Sequence, residues 1–161
     1  MPSNPDKVII SDTACLIGLT NIGQLNILRE MYGSIIVTPE VMEEYGAPLP
    51  EWIVVQEVSD SKRIAVFDKF IGQGESTAIA LAMETEKALL IIDDKRARQF
   101  ALGLGLEIIG TLGFLIQAYA NGIIRDIDPI IAGLREIGFR LPANTEALIK
   151  AIKSKNNPIN P

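Results

Sequence analysis

The chain alternates short β-branched apolar runs with longer segments whose apolar residues recur every three or four positions. Val8, Ile9 and Ile10 form one such run between polar neighbours, which predicts a buried strand over Lys7–Ser11 with Asp12 at its C-terminal end. Leu16, Leu19, Ile22, Leu25, Leu28 and Met31 then fall at spacings of three, predicting a helical hairpin from Thr13 to Tyr32 broken near 21–23. Ile35, Ile36 and Val37 repeat the strand pattern over 34–38. Thr38 is a natural N-cap and Pro39 suits a first helical turn, so a short helix carrying Glu43 and Glu44 follows.

Residues 46–50 hold two prolines and a glycine and read as a loop, and 52–58 as an edge strand or extended segment. Helices are predicted over 62–70 and from Gly74 through Met83, with Glu75 in the first turn of the second. Ala88–Ile92 is a strand ending at Asp93 and Asp94, and the helix after it carries Lys95, Arg96 and Arg98. A strand over 107–109 and helices over 112–121, 128–136 and 143–153 complete the pattern. Strands alternating with helices predict an α/β fold, a three-layer α/β/α sandwich around a parallel sheet of four to five strands. At 161 residues one domain is expected, over 1–153, with a flexible polar tail over 154–161.

Composition narrows the chemistry. Histidine is absent, which removes imidazole acid–base catalysis, Ser-His-Asp and Cys-His sites and imidazole-ligated zinc. The lone Cys15 sits among apolar neighbours and reads as a buried, inert thiol, in keeping with a reduced, cytoplasmic setting. Any bound metal must take oxygen ligands, which leaves hard cations such as Mg²⁺ or Mn²⁺. The first residues lack the pattern of a signal peptide. The longest uncharged run, 108–124, is broken by Thr111, Gln117, Asn121 and glycines, so it predicts a buried strand and helix rather than a membrane span.

The net charge of −5 is unevenly spread, with nine acids and two bases in residues 1–60. Asp12, Asp93 and Asp94 end strands, and Glu44 and Glu75 lie on helices that can face the same sheet edge. In open parallel sheets the functional crevice lies beyond those strand ends. Five carboxylates converging there repel one another unless a cation intervenes. A divalent metal held by two or three of them would also activate water and stabilise in-line displacement at a phosphodiester. Without these five acids the remaining charge is zero, from −5 plus 5, so acidity is no bar to an RNA partner.

Several segments in order resemble the PIN domain family, in particular its VapC-like prokaryotic members. They are Ser-Asp-Thr at 11–13, Thr-Pro-Glu-Val-Met-Glu-Glu at 38–44, Gly-Gln-Gly-Glu-Ser-Thr-Ala-Ile-Ala-Leu-Ala at 72–82, Ile-Asp-Asp-Lys-Arg-Ala-Arg at 92–98, and Gly-Thr-Leu-Gly at 110–113. The resemblance covers almost the whole chain. It implies a Mg²⁺- or Mn²⁺-dependent ribonuclease, in many such proteins a toxin held silent by an antitoxin protein. The family's acidic cluster falls on Asp12, Glu44, Glu75 and Asp94 as catalytic residues, with Asp12, Glu75, Asp93 and Asp94 as metal ligands. Thr13, Lys95, Arg96 and Arg98 are the expected substrate contacts. Glu43 competes with Glu44 for the helix position, and Gly110 and Thr111 stand where many relatives place a further acid or Asn.

Each acid also has a structural reading: Asp12 and Asp94 as helix caps, Glu75 as a partner of the helix dipole. Four acids at one sheet edge in the family's order favour the metal site. A non-catalytic PIN fold that binds RNA or protein is the alternative, and a receiver-like phosphorelay domain fits less well because its acidic pair should follow the first strand. A homodimer is a further expectation from the uncharged stretches 13–28 and 112–124, which core burial explains equally well. The glycines at 103, 105 and 110 precede a strand, so they are not a dinucleotide-binding loop.

Overall fold

The computed structural model describes residues 6–156. Five parallel strands, β1 (Val8–Ser11), β2 (Ile35–Val37), β3 (Ile53–Val55), β4 (Ala88–Ile91) and β5 (Glu107–Ile109), form one sheet in the order β3-β2-β1-β4-β5. The β-branched runs at 8–10 and 35–37 supply strands that can be buried on both faces, as a parallel sheet requires. Between them run α1 (Thr13–Asn21), α2 (Asn26–Tyr32), α3 (Pro39–Tyr45), α4 (Ser61–Phe67), α5 (Gln73–Glu84) and α6 (Lys95–Gly103). α7 (Thr111–Ala120), α8 (Asp128–Glu136) and α9 (Thr145–Asn156) follow β5.

Alternation along the strands splits the core in two. Ile9, Leu89 and Ile91 point to one face and pack with Leu16, Leu19, Leu28, Phe114, Leu115 and Leu134. Ile10, Leu90 and Ile92 point to the other and meet Phe67, Ile79, Leu81 and Ala97. The expected three-layer α/β/α sandwich results. Most apolar residues of 13–28 and 112–124 pack into the first core, Ile17 being exposed, so core burial accounts for most of both stretches.

Element ends differ from the sequence pattern by a few residues. The break between α1 and α2 falls where expected, with Gly23 at φ +71°. The segment 52–58 contributes only β3, at the sheet edge as expected. α9 runs on through Asn156, past the expected start of the tail, and 157–161 lie outside the described residues. Thr38 caps α3 by accepting the Val41 N–H at 3.2 Å, and its hydroxyl also meets Thr77 of α5 at 2.8 Å. That contact fixes α3 against α5. Among the described residues no helix is long and apolar enough to cross a membrane.

Candidate active site

The chain builds outward from β1 through β2 to β3, then crosses back to lay β4 on the other side of β1. A crevice opens beyond the strand ends at such a reversal. Ser11 and Ile91 pair at the ends of β1 and β4, so Asp12 and the segment Ile92–Asp94 enter that crevice together.

Asp12 is only 3% exposed. As N-cap of α1 it accepts the Cys15 N–H on Oδ1 at 3.1 Å, and its Oδ2 accepts the Asp93 N–H at 2.9 Å. Burial first, and then the charge of Asp93, push its carboxyl up to about 8 against those two donors, with a smaller push from Glu75. Asp93 is half-buried. Its Oδ1 accepts the Thr111 N–H at 2.8 Å and its Oδ2 the Thr111 hydroxyl at 2.5 Å. Burial raises this carboxyl as well, opposed by both Thr111 bonds and by the Arg98 charge. Neither acid forms an ion pair among the described residues.

The other acids stand on separate elements. Glu44, on α3, accepts the Thr13 hydroxyl on Oε2 at 2.8 Å, and its carboxylate lies so close to Gly74 that a Cβ there would stand 2.5 Å from Oε1. Of the neighbouring pair, Glu44 is thus the one turned toward α1 and α5. Glu75 folds over Gly72 in the same manner, a Cβ at Gly72 falling 2.5 Å from its Oε2. Asp94 is exposed and caps α6, accepting the Ala97 N–H at 2.8 Å. Both structural readings of the strand-end aspartates are therefore realised. Thr13 is engaged with Glu44. Cys15 is fully buried, and burial, then the charges of Asp93 and Asp12, push its thiol up, so it stays protonated.

Among the described residues no three acids stand close enough together to hold a metal ion. The donor set still fits a hard divalent cation. Two adjacent carboxylates are oriented by neutral N–H and O–H donors, each oxygen retains an unused lone pair, and burial disfavours their joint ionisation. A cation is the charge that such a pair lacks.

A cleft of about 1210 Å³ leads away from the pair. Glu75, Asp93 and Asp94 line it, together with Lys95 and Arg98 of α6 and Arg140 of the loop between α8 and α9. Arg96 is exposed outside the cleft lining. A family model described as a PIN domain matches residues 8–155. The chain belongs to the PIN domain family. No curated protein and no solved structure matches it. PIN domains are generally nucleases that use divalent metals.

Sequence reasoning missed three features of this PIN domain. Thr111 was seen only as the lack of an acid, whereas it binds both oxygens of Asp93. Gly72 and Gly74 are the seats of two carboxylates, a role that the Gly-x-Gly-Glu spacing could have suggested. Arg140 has no local signal, because only the return of the α8–α9 loop brings it to the cleft.

Proposed function

We propose that this PIN domain is a Mg²⁺- or Mn²⁺-dependent endoribonuclease. The observation that carries the reading is the Asp12–Asp93 pair at the strand-order reversal, Asp12 buried and Asp93 half-buried, with no ion pair among the described residues, beside a cleft that Lys95, Arg98 and Arg140 also line. Asp12, Asp93, Glu75 and Asp94 would hold the ion, the last two by swinging out of their present contacts, and Glu44, oriented by Thr13, would complete the acidic shell. Bound there, the ion supplies Lewis acidity and charge neutralisation at a phosphodiester. Lys95 and Arg98 then hold flanking phosphates, while Arg96 meets the strand outside the cleft.

In the test, the wild type is given single-stranded RNA with Mg²⁺ or Mn²⁺. Cleavage is expected, is lost on adding EDTA, and is abolished in Asp12→Asn and in Asp94→Asn, where the new Asn still caps α6. EDTA-insensitive cleavage undiminished in both variants would overturn the assignment. A toxin role with an antitoxin partner belongs to the same reading, and growth arrest on expression, relieved by Asp12→Asn, is its mark.

One observation favours a second reading, an RNA- or protein-binding PIN fold without activity: the described acids include no ready group of three. Calorimetric titration separates the two, since absence of Mn²⁺ binding at millimolar metal supports the binding module.

A further inference from the structure

We infer that Thr111 is a positioning residue for Asp93, a role that rests on the proposed metal-dependent reading of this site. Thr111 is fully buried at the start of α7 and offers two donors at a fixed spacing, its own N–H and its hydroxyl. The first reaches Oδ1 of Asp93 at 2.8 Å and the second Oδ2 at 2.5 Å, one donor for each oxygen. Such a two-point grip sets the plane of the carboxylate, which a single bond would leave free to turn. Each oxygen keeps a second lone pair for a cation.

The grip extends to the neighbouring acid. The Asp93 N–H donates to Oδ2 of Asp12 at 2.9 Å, so the two carboxylates share one frame that runs from α1 through the β4 end to α7. Arg98 is the competitor for Asp93. Its Nη1 donates to the Ile92 carbonyl at 2.9 Å and lies 2.9 Å from where a Cβ on Gly110 would sit, a position itself 3.2 Å from Asp93 Oδ1. Gly110 leaves room for the guanidinium, and Thr111 keeps the carboxylate from turning onto it. The segment that lacks a further acid thus orients the acid already present.

The experiment compares Mn²⁺ binding by calorimetry in wild type, Thr111→Val and Thr111→Ser, with RNA cleavage as a second readout. Valine preserves shape and the backbone N–H and deletes only the hydroxyl, whereas serine keeps both donors. Outer-shell partners of a ligating carboxylate are worth roughly 10- to 100-fold in metal affinity, so Thr111→Val is expected to weaken Mn²⁺ binding by about that factor and Thr111→Ser to stay within about threefold. Thermal unfolding checks that the valine variant is folded. Equal Mn²⁺ affinity in wild type and Thr111→Val, or a serine variant as weak as the valine one, overturns the inference and leaves the metal site standing. A wild type that takes no Mn²⁺ overturns both the inference and the proposed function.

Discussion

Asp12 is held by two N–H donors that favour its charge and by a burial that opposes it, and burial wins, with the folded value raised to about 8 from an ordinary 3.8. A carboxyl whose value rises on folding binds its proton more tightly in the folded state. Its contribution to stability is therefore complete below about pH 4 and is lost as pH climbs through about 8. Asp93 shifts in the same direction, so the two titrate as a pair. The metal-free protein in EDTA should show a falling Tm between about pH 5.5 and 8.5, a range above the titration of ordinary surface carboxylates. Asp12→Asn should flatten that slope, because the amide does not titrate. Thermal scans across this range check it, and a Tm that holds or climbs in the wild type contradicts the burial argument.

At the scale of elements, α3 and α5 meet through a carboxylate laid over a glycine. The apolar runs, the Thr38–Pro39 start of α3 and the break near Gly23 could all be read from the sequence, because each is set by neighbours a few residues away. The Glu44–Gly74 contact could not, since it depends on two helices whose approach no local pattern encodes. Gly74→Ala isolates it. The added Cβ would stand 2.5 Å from Glu44 Oε1, but that oxygen ends a flexible side chain that can move aside. Alanine is also favoured over glycine in a helix, by up to about 1 kcal/mol in an interior and by less in the first turn, where Gly74 sits. Stability measured by urea unfolding should therefore stay level or rise by up to about 1 kcal/mol, while the displaced Glu44 leaves Thr13 and RNA cleavage falls by about tenfold or more, the scale of one lost charged contact. Cleavage at the wild-type rate would make Glu44 a bystander.

For the whole molecule, the strand order decides where chemistry can occur, and the sequence disclosed the acids at that edge but not which ones meet. Asp12 and Asp93 come together because β1 and β4 are neighbours, while Asp94, the next residue, caps α6. The loop between α8 and α9, with Leu148 of α9, contributes to the lining of the cleft. Phe139 lies on α1 at Gly18, where a Cβ would stand 2.8 Å from the ring, and this seats the loop that brings Arg140 to the cleft that Lys95 and Arg98 also line. Arg140 is exposed and forms no ion pair among the described residues, so its charge is free for a phosphate. Because it bonds to neither acid of the pair and is not among the charges that shift them, Arg140→Ala should weaken the hold on RNA without touching the chemical step. The expected outcome is a KM raised about three- to tenfold with kcat within about twofold, as uniform binding loss dictates. The dependence of log affinity on log salt should also become shallower by about 0.7, one phosphate contact on a single strand. Mn²⁺ affinity should not move. A fall in kcat at unchanged KM would instead place Arg140 in the reaction itself and would redraw the cleft as a path along which the strand does not lie.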